Sequence, residues 1–293
     1  MSFDTNKIII QDLPSFGTHN IKVSTLRTDL IHPIISGNKW FKLRFYLEEA
    51  KRLKCNTIAS FGGAYSNHIV ALAAACKLNG FKSVGFIRGE WNDSPSLLEA
   101  KALGMQLNFI SRDAYKYKEV VMEELANKDW FWINEGGYGI NGALGAATIL
   151  TTKDCSTFTH IICACGTGTM LAGLIIGSNA NQLVIGISVL KNNNGLNDMV
   201  TALLPSEKNT LFTTLHDYHF GGYAKHPVEL IDYMNQLFKR EKLPTDIVYT
   251  SKLFYAVEDL IQQQYFSDNA NILLIHSGGL QGNRSLAPGR LIY

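Results

Sequence analysis

Short apolar runs alternate with longer amphipathic stretches along almost the whole chain, and several of the runs stop at a glycine pair. Runs rich in β-branched and aromatic residues predict strands at 20–28, 56–61, 83–88, 106–110, 130–134, 160–165, 183–190, 247–250 and 272–276. Between them, apolar residues recur at helical spacing. The 41–53 stretch puts Leu43, Leu47 and Ala50 on one face and Glu48, Glu49, Lys51 and Arg52 on another. Further helices are predicted at 67–78, 96–103, 116–127, 143–152, 170–176, 227–240 and 253–265. Ser66 is a natural N-cap for the 67–78 helix, and Asn79-Gly80 a natural stop.

Strand, turn and helix in succession give an α/β fold with open, largely parallel sheets flanked by helices. In such folds ligands gather at the carboxyl ends of the strands. Glycine clusters at 62, 136, 166 and 278 each follow a predicted strand, so they can converge on one cleft. Two domains are expected: a large one built from 1–41 and 133–293, and a small α/β one from 42–132, with the ligand between them.

Bulk properties narrow the function classes. The 293 residues are 46% hydrophobic and 18% charged, with net charge +2 and a pI of about 8.2. That balance gives no reason to expect nucleic acid or a membrane surface as partner. No apolar window is long enough for a membrane helix and no signal peptide opens the chain, so a cytoplasmic location is expected. Five irregularly spaced cysteines suit reduced thiols. Cys163 and Cys165 would point the same way on a strand, as packing residues or as half of a metal site. His216, His219 and His226 crowd one loop beside Asp217, but spacing alone does not make them metal ligands, and no metal is expected.

Three stretches can carry chemistry. Ser36-Gly37-Asn38 delivers Lys39 to the start of a helix. Lys39 is either an ordinary helix-start lysine or an amine held in a cleft, where a lowered pKa would let it attack a carbonyl. Gly166-Thr167-Gly168-Thr169-Met170 lies between a strand and a helix. It is either a plain turn or an anion site made of backbone N–H groups, the two hydroxyls and the helix dipole. It lacks the Gly-Lys-Ser/Thr of a nucleotide P-loop. The third glycine of a dinucleotide fingerprint is Leu171, and no acidic residue follows Leu190-Lys191, so a single phosphate suits it better. Gly62-Gly63-Ala64-Tyr65-Ser66-Asn67-His68 leaves room for a planar ring and offers donors at a helix N-terminus.

Together, and in this order, Ser-Gly-Asn-Lys39-x-x-Lys42-Leu43, Gly-Gly-x-x-Ser66-Asn67-His68, Glu135-Gly136-Gly137 with Gly142-Ala143-Leu144-Gly145, and the Gly166 loop resemble one family. It is the 1-aminocyclopropane-1-carboxylate deaminase and D-cysteine desulfhydrase family of pyridoxal-phosphate enzymes, with the tryptophan-synthase β-like fold (fold type II). The resemblance runs from about Leu26 to Gly279. It implies that Lys39 holds pyridoxal 5'-phosphate covalently and that Gly166, Thr167, Gly168, Thr169 and Met170 hold its phosphate. Ser66 and Asn67 would serve the substrate and the ring 3′-oxygen, and His68 is a further candidate for substrate contact. Tyr223 and Tyr249 resemble the two active-site tyrosines, although Ala224-Lys225-His226-Pro227 departs from the usual continuation after the first. Tyr65 replaces a common Gln, and Val70-Ala71 a common Arg-Gln. A homodimer is also implied.

Thr250 and Ser277 match positions near the pyridine nitrogen. The resemblance implies Glu and Leu there in ring-opening deaminases and small hydroxyl residues in desulfhydrases. A carboxylate beside that nitrogen favours a charged pyridinium and a stronger electron sink, whereas a hydroxyl can bond a neutral ring. The expected activity is therefore α,β-elimination from a small amino acid, first D-cysteine, to pyruvate, sulfide and ammonia. The alternatives are deamination of 1-aminocyclopropane-1-carboxylate and a non-catalytic protein that binds a phosphorylated metabolite.

Overall fold

The fold was obtained as a computed structural model, which describes residues 4–17, 20–124, 130–208 and 212–293. In chain order the main elements are β1 (Ile10–Asp12), β2 (Lys22–Leu26), α1 (Asn38–Arg52), β3 (Thr57–Gly62), α2 (Asn67–Asn79), β4 (Lys82–Arg88), α3 (Pro95–Ala102), β5 (Gln106–Ile110), α4 (Lys118–Glu124) and β6 (Trp130–Ile133). There follow α5 (Ile140–Ala147), β7 (His160–Cys165), α6 (Thr169–Gly177), β8 (Leu183–Ser188), α7 (Leu196–Thr201), β9 (Phe212–Leu215), α8 (Val228–Glu241), α9 (Thr250–Gln262) and β10 (Asn271–Ile275).

The strands form two sheets. One has six strands in the order β1-β2-β10-β7-β8-β9, parallel except for the antiparallel edge pair β1–β2. The other has four parallel strands in the order β5-β4-β3-β6. The six-stranded sheet draws on both ends of the chain, and the four-stranded sheet on the stretch between β2 and β7. The α/β class follows from covering each sheet with helices, as the run of buried strand residues requires: β3 is buried along its whole length and β7 along all but its first residue.

Most elements fall where the hydrophobic pattern puts them. The Ser66 hydroxyl caps α2 at the Ile69 N–H, and Gly80 closes it in the left-handed conformation. Two differences have local causes. The predicted 247–250 strand is absent. The Asp246 carboxylate accepts the N–H groups of Val248, Tyr249 and Thr250, which curls this β-prone stretch into the first turn of α9. The predicted 143–152 helix is α5, which starts at Ile140 and stops at Ala147. Beyond it the hydroxyls of Thr148 and Thr152 turn back onto the carbonyls of Gly145 and Ile149. The edge strands β1 and β9 and the short helix α7 carry too few residues to show a periodicity. The end of the predicted 116–127 helix lies outside the described residues; α4 covers Lys118–Glu124.

Glycines set how closely the layers approach. A Cβ on Gly145 would lie 2.0 Å from the Phe41 carbonyl oxygen, so α5 meets α1 backbone to backbone. Gly173 and Gly177 bring α6 equally close to α5. Replacing Gly145 with alanine therefore forces α1 and α5 apart. It should cost about 1–3 kcal/mol in a denaturant titration. An unchanged midpoint would show that the helices can separate freely.

Candidate active site

All strands that border the cleft point their carboxyl ends into it. The lining comes from the ends of β3, β4 and β6 on one side and of β7 and β8 on the other, with the start of α1 and the 223–249 region completing it. The cavity is about 460 Å³. Lys39, Lys42, Ser66, Asn67, His68, Gly166, Thr167, Gly168, Met170, Tyr223 and Tyr249 all line it. A narrow pocket shares Asn38, Lys39, Asn67 and Tyr249 with it and adds Ser36, Ser277, Gly278 and Gly279. Thr169 and Thr250 are fully buried and line neither.

Lys39 owes its place to two turns that touch. Gly37 has φ +59°, and a Cβ there would sit 2.0 Å from the Ser277 carbonyl oxygen. The Gly37 N–H bonds the Thr28 carbonyl and the Asn38 N–H bonds that of Ser277. Behind them Arg27 grips Asp29 at 2.9 and 2.8 Å, and His276 lies 3.2 Å from the same carboxylate. Lys39 Nζ donates to Asn38 Oδ1 at 3.0 Å and lies 6.0 Å from the centroid of the Tyr249 ring. Burial pulls its pKa from the ordinary 10.5 to about 8, against the opposing pull of the Asp246 charge.

One helical turn on, Lys42 is 5% exposed, and its amine has a single long contact, 3.4 Å to the Gly136 carbonyl oxygen. Burial first, and then the charge of Lys39, push it well below the usual lysine value. The adjacent Cys163 and Cys165 thiols lie 3.9 Å apart. The contact with Cys165, and then burial, hold Cys163 well above the usual thiol range. All five cysteines are free. His68 bonds the Ser60 hydroxyl at 2.9 Å and is pushed down to about 3 by burial and by the two lysines, so it is neutral. Its Nδ1 and the Asn67 Oδ1 are buried without a hydrogen-bond partner.

The Gly166 loop enters α6 through Gly168, which has φ +75° and would collide with Val200 if it carried a Cβ. The hydroxyls of Thr167 and Thr169 lie 3.0 Å apart. A Cβ on Gly166 would lie 3.4 Å from the Tyr249 hydroxyl, and one on Gly136 would lie 3.0 Å from Thr167. Tyr249 thus has Lys39 near its ring and the loop at its hydroxyl end. Burial, with Tyr223 and Asp246 nearby, holds its hydroxyl well above the usual tyrosine value. Tyr223 packs edge-on against it with centroids 6.4 Å apart. Burial and the charges of Asp246 and Glu135 push Tyr223 up to about 12, with Arg88 opposing. Both phenols are protonated at neutral pH.

Pyridoxal phosphate fits this constellation. A phosphate has the cavity-lining Gly166-Thr167-Gly168 turn at the start of α6, the Thr167 hydroxyl and the under-bonded Lys42 amine, and an aldehyde has Lys39, whose lowered pKa frees part of its amine. A polar ring substituent has the unpartnered Asn67 carboxamide. Thr250 departs from a simple wall residue. Its hydroxyl donates to Asp246 Oδ1 and accepts from the Asp246 N–H, both at 2.7 Å, and this places it one layer behind the cavity.

Lys42, Arg88 and Asp246 have no role in the expectations drawn from the sequence. Lys42 carried a signal, since it lies three residues from Lys39 and so shares its helix face. The His216, His219 and His226 rings bond Thr214, the Gly221 N–H and the Ala224 carbonyl within their own turns. Among the described residues no group of three or more His, Cys, Asp or Glu is placed to hold a metal ion. Nor is any helix long and apolar enough to cross a membrane.

Comparison with known proteins agrees with the geometry. Residues 10–278 match the family described as pyridoxal-phosphate dependent enzyme. A Pyrococcus abyssi protein, described there as a candidate 1-aminocyclopropane-1-carboxylate deaminase, is 31% identical over 93% of this chain and 89% of its own. D-cysteine desulfhydrase of Klebsiella pneumoniae is 25% identical over 92% and 90%. The bifunctional mitochondrial D-cysteine desulfhydrase/1-aminocyclopropane-1-carboxylate deaminase of Arabidopsis thaliana is 27% identical over 87% and 72%. The crystal structure of an ACC deaminase homologue superposes with TM-score 0.80 at 27% identity, covering 94% of this chain and 90% of that one. The chain therefore belongs to the pyridoxal-phosphate-dependent enzymes of fold type II, in the branch that contains the 1-aminocyclopropane-1-carboxylate deaminases and D-cysteine desulfhydrases.

Proposed function

We propose that the protein is a lyase that removes the β-substituent and the amino group of a small amino acid, with D-cysteine giving pyruvate, sulfide and ammonia. The observation that carries this reading is the single cavity shared by the Lys39 amine, the Gly166 loop and the Ser66-Asn67-His68 helix start. Bound pyridoxal phosphate supplies an aldehyde for amines and an electron sink for the substrate's α-carbon. Lys39 would be its covalent anchor, and the Lys39 amine the base that takes the substrate's α-proton. A pKa near 8 leaves roughly a tenth of that amine unprotonated at neutral pH, far more than an ordinary lysine would have. Gly166, Thr167, Gly168, Thr169 and Met170 form the phosphate cradle, with Lys42 as its charge partner. Ser66 and the N–H groups at the start of α2 receive the substrate carboxylate, while neutral His68 lines the pocket without adding charge. Asn67, whose Oδ1 is buried without a partner, would hold the ring 3′-oxygen. Tyr249 and Tyr223 stay protonated and serve as donors toward the leaving group.

Elimination is favoured over cyclopropane ring opening by the groups behind the narrow pocket. Ser277 presents a hydroxyl there, and Thr250 keeps its hydroxyl proton on Asp246. No side-chain carboxylate lines that pocket to hold a ring nitrogen charged. A thiolate leaving group together with an abstractable α-proton tolerates the weaker sink. Two domains are part of the same proposal, 1–41 with 133–293 and 42–132. The two separate sheets support it, as does a cleft lined from both.

Three outcomes test the reading. Lys39→Ala should lower pyruvate release from D-cysteine by a factor of about 10³ or more, and borohydride should no longer fix the cofactor to the protein. Retention of either property removes Lys39 from the role. The rate at which apoprotein takes up pyridoxal phosphate should rise with pH, because only the unprotonated amine attacks, with a midpoint near 8. A midpoint near 10.5, the ordinary lysine value, would show that the amine is not desolvated. Thr250→Glu combined with Ser277→Leu should depress D-cysteine elimination, and undiminished turnover would end the ring-nitrogen argument.

A further inference from the structure

The cavity holds more positive groups than a cofactor and a small amino acid use. On the reading above, the phosphate takes the start of α6 and Lys42, the aldehyde takes Lys39, and the α-carboxylate takes the start of α2. Arg88 remains. It is the last residue of β4, its neighbour in the register is Ile110 of β5, and it lines the cavity beside the end of β3. Its guanidinium lies over the ring of buried Tyr115, 5.6 Å from the centroid. The bare Cα of Gly63 leaves that guanidinium open, with Nη2 3.8 Å from where a Cβ would stand. Among the described residues Arg88 makes no ion pair and no hydrogen bond. The nearby carboxylate, Glu135, is paired with Lys118 at 3.2 Å. Tyr223 lines the same cavity as Arg88. Arginine presents a planar fork of donors suited to a carboxylate, and here that fork is oriented by an aromatic ring and has no partner.

We propose that Arg88 is a specificity residue that binds a carboxylate carried on the leaving group, so that the preferred substrates are β-substituted amino acids whose side chain ends in an acid. This rests on the lyase reading and names its substrate class. For S-(2-carboxyethyl)-D-cysteine the Cβ–S bond breaks, the α-proton goes to Lys39, and sulfur leaves as a thiolate that takes up a proton. With one water consumed, the products are pyruvate, ammonia and 3-mercaptopropionate. Removal of one charged hydrogen-bonding partner costs such a substrate about tenfold to a hundredfold in kcat/KM.

The test compares S-(2-carboxyethyl)-D-cysteine with the uncharged S-propyl-D-cysteine, using holoenzyme and its Arg88→Gln and Arg88→Lys variants. Pyruvate release and dissociation constants from the cofactor absorbance are both measured. The wild-type protein should favour the acidic thioether by about tenfold or more. In Arg88→Gln that ratio should collapse toward one, through KM more than kcat, and Arg88→Lys should restore part of it. A ratio near one in the wild type, or the same ratio in Arg88→Gln, overturns the proposal. If neither thioether nor D-cysteine releases pyruvate, the lyase reading fails. The ratio of dissociation constants then still decides whether Arg88 selects the acid.

Discussion

The backbone contact between the Ser36-Gly37-Asn38 turn and the Ser277-Gly278 turn is the constraint on which the site depends. Neither Gly37 nor Gly278 has space for a side chain: a Cβ would fall 2.0 Å from the Ser277 oxygen in one case and 2.3 Å from the Ser36 hydroxyl in the other. Both also occupy positive φ, where glycine is at home. The contact welds the exit of β2 to the exit of β10, adjacent strands of one sheet, and so fixes where α1 begins. Everything that α1 carries into the cleft inherits that placement, first Lys39 and, one turn later, Lys42. The buried Arg27, Asp29 and His276 group stiffens the same corner from behind. Although burial opposes it, the attraction of His276 and Arg27 holds Asp29 below the usual carboxylate range.

Charge in the cleft is arranged so that amines lose protons while the pocket stays receptive to anions. Two lysines share one helix face; burial pulls both down, and the charge of Lys39 makes Lys42 harder still to protonate. Asp246 tempers this from one layer back. Its oxygens are already occupied by three backbone N–H groups and the Thr250 hydroxyl, so it acts on Lys39 as a fixed field and not as a contact. The same capture of N–H groups ends the loop at Tyr249 and aims that ring. One buried carboxylate therefore links the geometry of the phenol wall to the basicity of the amine.

Much of this was legible in the chain. Glycine pairs that follow apolar runs marked the strand ends, and their order predicted convergence. The Ser66 cap and the Gly166 turn were local features that tertiary packing had no reason to override. What the sequence hid are the places where a distant or side-chain partner decides the backbone. Ile247-Val248-Tyr249-Thr250 has strand composition, and only the Asp246 carboxylate turns it into a helix start. Strands β1 and β9 are defined by their neighbours, not by their own three or four residues. Thr250 was expected beside the ring, and nothing local says that it is buried behind the cavity with its hydroxyl proton committed to Asp246. Arg88 looked like the polar end of a strand, because nothing local says that Tyr115 holds it over a cavity.

The two sheets divide the site by kind of group. The six-stranded sheet and its connections bring Lys39, the Gly166 loop, Tyr249, Asp246 and Ser277, groups suited to holding a cofactor and moving a proton. The four-stranded sheet brings the Ser66 helix start, His68, Arg88 and Glu135, groups suited to recognising what arrives. Parallel strands with all their carboxyl ends turned to one cleft make this separation possible, since each strand end offers one loop that can vary without disturbing the next. On the proposed reading, the four-stranded side meets the substrate's acidic end, while Ser277, Thr250 and the two tyrosines bear on the reaction from the other side. The departures from the family pattern at Tyr65 and at Val70-Ala71 are on the four-stranded side, as is Arg88, whereas the departure at Ala224-Lys225-His226-Pro227 lies on the other, next to Tyr223.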